Sequence, residues 1–338
     1  MKRLLKILGG VLGALVVLLL IGFVLASARA SSRLSRKFET HRVELPVPFP
    51  LSTTEINQLR ADRAAAGSGE PDADPLSGVD LGAHALELAT ARGKHLVQAR
   101  YGCNACHGDN MGGGMMMNEP AIGVLRGPNI STGQGGVVTG YTTADWDRIV
   151  RHGVLRDGSQ AVMPSEDYFA MSDHELSDII AYVRSRPPVV GEVAKASFGP
   201  IGKVLLALGK YPLSAERVED HKRAHLVEPP PAADTPEFGA HLTATCLGCH
   251  RANLAGGPMQ FGPPDWPAAG NLTPHEDGLK SWTFEDFDKS LTEGVSRDGR
   301  PLRDPMTHVI PGTRAMSLTE RKAVWTYLHG LPPRPTNP

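Results

Sequence analysis

All four cysteines of this 338-residue chain stand in two pairs, Cys103 with Cys106 and Cys246 with Cys249, and a histidine follows each pair directly. The pentads read Cys103-Asn104-Ala105-Cys106-His107 and Cys246-Leu247-Gly248-Cys249-His250. Residues three apart share one face of a helical turn, so both sulfurs of a pair project from one short segment. Four cysteines are too few to staple a chain of this length with disulfides. Pairs at this spacing hold a metal, form a redox disulfide or attach a haem.

The three chemistries make different demands on the surrounding sequence. A four-thiolate zinc site needs the pairs to converge, yet Cys106 and Cys246 stand 140 residues apart in separate repeats, and neither histidine would then have a role. A thioredoxin-like disulfide needs a strand before the pair and a βαβ context, which helical periodicity around Leu86, Leu88, Ala89, His95 and Leu96 denies. C-x-x-C-H is the c-type haem attachment signature. The two sulfurs reach the two vinyl groups on one porphyrin edge, and the adjacent histidine places a ring nitrogen under the iron. Two copies that use every cysteine predict two covalently bound haem c groups. Aromatic residues make up only 6% of the chain, so few rings are available for the cores that such cofactors would otherwise fill.

A haem iron takes a second axial ligand or keeps an open site. Methionine is the natural candidate, and the spacing picks the residues. His107 to Met163 is 56 residues, and His250 to Met306 is also 56. Equal separations predict equal roles, with iron ligands His107, Met163, His250 and Met306. Met316 is the rival for the second iron, because Ala315-Met316-Ser317 matches Ala170-Met171-Ser172. Met116 and Met259 follow their histidines too soon to reach the opposite face, and the expectation is that they pack against the porphyrin edge. The other methionines and most of the other histidines are given no role. A ligating histidine usually donates its second N–H to a carbonyl. Pro128 has no N–H to donate and offers its oxygen to His107, with Gly270 in the matching place for His250. Tyr141 and Trp282 occupy equivalent positions and are candidates to hydrogen-bond a haem propionate, with plain core packing as the alternative.

The repeat extends beyond the pentads. A helix approaches each cysteine pair. A middle helix follows over 143–152, with Thr143 as N-cap, and recurs at 283–293. A last helix starts at Ser172-Asp173-His174-Glu175 and recurs at Ser317-Leu318-Thr319-Glu320, both capping-box patterns. The expected organisation is an N-terminal membrane anchor or signal segment over 1–30, a tether over 31–84, a first haem domain over 85–188, a linker over 189–234 and a second haem domain over 235–338. Residues 61–80 read as loop, and three prolines within 43–50 forbid a helix there. Lys2, Arg3 and Lys6 precede an uncharged run from Ile7 to Ala26, long enough to span a bilayer. Ala26-Ser27-Ala28 and Ala28-Arg29-Ala30 offer alternative cleavage sites of a signal peptide. Both readings put the bulk of the chain outside the cytoplasmic membrane, in the periplasm. Lys plus Arg number 35 against 36 Asp plus Glu, with no basic block in the body of the chain, so a nucleic-acid partner has no electrostatic footprint.

The order C-x-x-C-H, then Pro-Asn-Ile-Ser or Gly-Asn-Leu-Thr, then an aromatic-Thr-x-x-Asp helix, Asp-Gly and a methionine resembles class I cytochrome c domains. More closely, it resembles the multihaem cytochrome subunits of alcohol and gluconate dehydrogenases. The resemblance implies an all-α fold of two tandem domains, each wrapped around one haem with an edge left for electron exchange. It implies an electron relay whose partners are redox proteins: a dehydrogenase, a quinol-oxidising complex, an oxidase or a soluble cytochrome. The alternative is a dihaem enzyme of cytochrome c peroxidase or thiosulfate dehydrogenase type, with one catalytic haem.

Overall fold

The computed structural model describes residues 2–67, 74–191, 196–259 and 266–338. Helix α1 (Lys2–Leu34) carries the apolar run, is long and apolar enough to cross a membrane, and none of its apolar window is buried by the rest of the chain. Its end is held by the body. Ala30 is buried with Leu206 and Leu213, and Arg29 Nε donates to Ala207 O at 2.8 Å. Arg33 reaches Leu206 O and Glu216. The proline-rich segment that follows lies on the first core, with Leu45 buried and Val43, Val47 and Phe49 packed beside it.

Helix α2 (Thr53–Ala65) corrects the loop expected from residue 61. Ser52 and Glu55 form a capping box that starts it, and six of the seven residues from Leu59 to Ala65, all but Asp62, are good helix formers once started. Residues 68–73 of the expected loop lie outside the described residues.

Helix α3 (Leu81–His95) runs on as one wide turn to Arg100 and delivers α4 (Cys103–His107). Strands β1 (Gly114–Glu119) and β2 (Gly123–Gly127) follow, and then α5 (Thr143–Val150) and α6 (Asp173–Ser185). The cap of α5 is Thr142 rather than Thr143, because Asp145 stands three residues after Thr142 and completes its capping box. Strand β3 (Ser197–Phe198) and helix α7 (Pro200–Ala207) lie within 189–234, of which 192–195 lie outside the described residues. The second half comprises α8 (Pro236–Thr243), α9 (Leu247–His250), α10 (Phe284–Thr292), α11 (Met306–Ala315) and α12 (Leu318–His329).

The chain is therefore mostly helical but not all-α as expected: β1, β2 and β3 form an antiparallel sheet in that order. Alternation explains it, since Leu125 points inward and Arg126 outward on β2, a period of two that no helix buries.

The two halves place their outer helices alike. Helix α3 crosses α6 and α8 crosses α12, each at a glycine. A Cβ on Gly93 would lie 2.0 Å from Asp178 O, and one on Gly239 would lie 2.0 Å from Ala323 O. Each crossing closes a separate core. The first gathers Leu96, Val97, Tyr101, Trp146, Leu176 and Ile180, and the second Phe238, Leu242, Phe287, Leu291, Val324 and Leu328.

Candidate functional site

Each C-x-x-C-H pentad forms a helical turn at the edge of its core. His107 ends α4 and its Nδ1 lies 2.9 Å from Pro128 O; His250 ends α9 and its Nδ1 lies 2.7 Å from Gly270 O. A carbonyl only accepts, so Nδ1 carries the hydrogen in both rings and Nε2 is left with its lone pair. Burial, opposed by that hydrogen bond, pulls the pKa of both imidazoles down. Burial also pushes the Cys103 and Cys246 thiols up to about 12. Reactive redox cysteines need the opposite, a thiolate favoured near neutral pH, so the disulfide chemistry fits these sites poorly.

The loop that presents the Pro128 carbonyl is held from both sides. Gly127 lets β2 approach α4 so closely that a Cβ there would lie 1.9 Å from Cys106 O. Asn129 Oδ1 accepts from Ser131 N at 2.9 Å and from its hydroxyl at 2.7 Å, while Nδ2 donates to Val189 O at 2.7 Å. Asn271 repeats the arrangement, accepting from Thr273 N and Oγ1 at 2.8 Å and donating to Arg334 O at 2.8 Å. Both asparagines are buried. Sequence reasoning assigned them no role, although the recurring Asn-x-Ser/Thr at matching places was the available signal.

Met163 packs against the first core together with Cys103, and Met306 against the second together with Cys246. Met316 is a core residue, 9% exposed, as its counterpart Met171 is at 1%. Met306 opens α11, whereas Met163 precedes a short 3-10 turn over Ser165–Tyr168, so the segments after the two methionines differ. Met116 lies on β1, 45% exposed. Tyr141 packs on the first core, edge to face with Trp146 at 6.0 Å and under the Arg156 guanidinium, and Trp282 packs on the second. Each half thus sets one thiol of its pair and a thioether against one core, with the second thiol and an imidazole whose Nδ1 is already engaged on the adjoining helical turn. That donor set fits haem c.

The two sites meet along a seam that the sequence did not reveal. The carboxylate of Asp167, four residues after Met163, lies against Gly248, between Cys246 and Cys249. In return α11, which begins at Met306, packs against residues 96–100 on the approach to Cys103, with Gly312 facing the carbonyls of Gln98 and Ala99.

Residues 88–183 match the family model described as cytochrome C oxidase, cbb3-type, subunit III. The chain is 24% identical over 291 residues to the fructose dehydrogenase cytochrome subunit of Gluconobacter japonicus, covering 77% of this chain and 56% of that protein. It is 27% identical over 311 residues to the cytochrome c subunit of a quinone alcohol dehydrogenase from Gluconacetobacter polyoxogenes, covering 83% of this chain and 63% of the relative. Over 119 residues, 33% of this chain and 26% of the relative, it is 31% identical to the gluconate 2-dehydrogenase cytochrome c subunit of Pantoea cypripedii. The chain thus spans 56% and 63% of the lengths of the first two of these relatives. Residues 88–183 are accordingly a cytochrome c domain, the kind that binds haem c covalently, in a chain similar to the cytochrome subunits of sugar and alcohol dehydrogenases.

Proposed function

We propose that the chain is a dihaem c-type cytochrome that relays single electrons outside the cytoplasmic membrane. His107 and Met163 would ligate one iron, and His250 and Met306 the other. The observation that carries this reading is the matched pair of hydrogen bonds from His107 Nδ1 to Pro128 O and from His250 Nδ1 to Gly270 O. Each fixes one tautomer and aims Nε2 away from the protein carbonyl, as an axial ligand requires. The burial of Met316 in the same way as Met171 supports Met306 as the counterpart of Met163.

Haem c supplies a one-electron ferric/ferrous couple, and the residues around it set its potential. Thioether ligation raises that potential and leaves no open coordination position for a substrate. The seam at Asp167 and Gly248 brings the segment after Met163 to the second cysteine pair, which suits electron passage between the two halves. The hold of α7 on the end of α1, through Arg29 and Arg33, supports a retained anchor over a cleaved signal. Cleavage after Ala28 or Ala30 would cut a helix whose end is packed. The domain limits 85–188 and 235–338, joined by the linker 189–234, belong to the same reading. The relatives named as dehydrogenase subunits favour a dehydrogenase as electron donor, with a quinol-oxidising complex, an oxidase or a soluble cytochrome as other redox partners.

The test is haem stoichiometry together with the weak methionine–iron charge-transfer band at the red end of the oxidised spectrum. Two haems per chain, falling to one fully bonded haem in Cys103→Ser and in Cys246→Ser, with a band intensity for two methionine-ligated irons, is the expected result. A single haem per chain would overturn the dihaem reading, and a band for one iron with carbon monoxide binding at the other would overturn the relay and favour a dihaem enzyme.

A further inference from the structure

We propose that His41, Asp147, His152 and His225 form a closed site for a divalent transition-metal ion, zinc by its donor set, that pins the tether and the linker to the first haem domain. None of the four is among the haem candidates. They come from three separate places: His41 from the segment after α1, Asp147 on α5, His152 just beyond its end, and His225 from the stretch between the halves.

Their ligand atoms all lie within 4.8 Å of one another. The three imidazoles form a near-equilateral triangle, with ring centroids 5.2, 5.2 and 5.3 Å apart. Nε2 of His41 and Nε2 of His152 each lie 3.7 Å from Asp147 Oδ2, and the Nε2 atoms of His152 and His225 lie 3.3 Å apart. Four ligands about 2.0–2.1 Å from a tetrahedral zinc stand about 3.3–3.4 Å from one another, so these three pairs are within a few tenths of an ångström of that spacing and the remaining pairs, all within 4.8 Å, close on it by a larger movement of the rings.

Protein hydrogen bonds alone leave this cluster unsatisfied. Asp147 is fully buried, and its Oδ1 is taken by Arg151 at 2.7 Å, while Oδ2 accepts nothing from the described residues. Nδ1 of His41 is likewise buried without a partner among them. A buried carboxylate oxygen with no donor is costly, and it points at the ring nitrogens.

The protonation pattern around His152 is the one a ligand needs. His221 Nε2 lies 2.9 Å from Ala215 O, so it carries the hydrogen, and in that tautomer Nδ1 accepts. Nδ1 of His152, 3.1 Å away, is then the donor. That leaves the Nε2 lone pair of His152 facing Asp147 Oδ2. A cation between them turns a repulsion into two bonds, and the His152–His221–Ala215 chain becomes the outer hydrogen bonding typical of ligating histidines. Burial is the largest cause that lowers the pKa of both His152 and His225. Among the other charged groups near the cluster, Arg151 and Asp173 pair with each other at 2.8 Å, and Arg223 sits over the Phe169 ring beside His225.

Three imidazoles and one carboxylate suit zinc, and four protein ligands leave no open position. Such an ion would hold the segment descending from the membrane helix and the segment leading to the second half on one point of the first.

The test uses the full-length protein in detergent, its metals measured by mass spectrometry with haem iron as internal standard. One zinc per chain is expected. Chelator-stripped protein should take up one equivalent of zinc chloride in calorimetry and melt at a higher temperature with the ion than without. Asp147→Asn and, separately, His225→Gln should weaken uptake at least about 100-fold while leaving both haem spectra unchanged. Zinc at background level with no calorimetric uptake by the stripped protein, or uptake equal in wild type and both variants, would overturn the site.

Discussion

His241 on α8 meets Glu175 at the start of α6 at 2.9 Å, and the same contact recurs with the halves exchanged, His95 on α3 meeting Glu320 at the start of α12 at 2.9 Å. Each half's histidine thus reaches the capping-box glutamate of the other. Arg100 joins both, its Nη1 3.0 Å from Glu175 and its Nε on Glu320. The two carboxylates are nearly fully buried. Burial alone would raise them, but the histidine contact, the Arg100 charge and the cap N–H outweigh it and hold each at about 2.

This network sets an acid limit on the union of the two halves. A carboxyl held below its ordinary value of 4.5 contributes stability that is fully present above that value and is lost as pH falls toward the folded pKa of about 2. The melting temperature should therefore fall between about pH 4.5 and pH 2. Glu175→Gln should cost about 3 kcal/mol at pH 7 by leaving Arg100 short of a buried partner, and should flatten the acid slope. An unchanged slope in calorimetric melts would show that other carboxyls carry it.

Met306→Ala should open the second iron to carbon monoxide and lower its potential, since a sulfur donor that favours ferrous iron is lost. Met316→Ala, in the core, should cost about 2–5 kcal/mol and leave the redox titration unchanged. The reverse pattern would assign the ligand to Met316.

Gly127→Ala should disturb the first haem alone. The new methyl would collide with Cys106 O and displace the Pro128 carbonyl from His107. Overpacking of this kind costs about 1–3 kcal/mol. Resonance spectra of the two irons should separate, with the His250 site unaltered.

The full-length chain should fractionate with membranes. A chain beginning at Ser31 behind a cleavable signal should be soluble and keep both haems. N-terminal sequencing of the mature protein checks this, and a start at Arg29 or Ser31 would identify the apolar run as a signal peptide.

The local chemistry was written in the sequence by itself. C-x-x-C-H needs only a helical turn, a capping box only residues three apart, and the Pro128 carbonyl only a residue without an N–H on the loop that returns to His107. Such features are short-range, so they leave a readable spacing. Thr142 escaped because caps mark an element's existence better than its ends, whereas α2 was legible in the Ser52-x-x-Glu55 capping box but hidden by the loop composition that follows it. The sheet escaped because β2 pairs partly with β3, which lies far along the chain. Tertiary packing alone decided which residues meet across the halves. His95 with Glu320, His241 with Glu175 and Asp167 with Gly248 each join positions distant in sequence, and His41, Asp147, His152 and His225 converge from three segments. No periodicity encodes such encounters, because their partners are chosen by how helices cross and loops return, and only the closed fold brings them within reach.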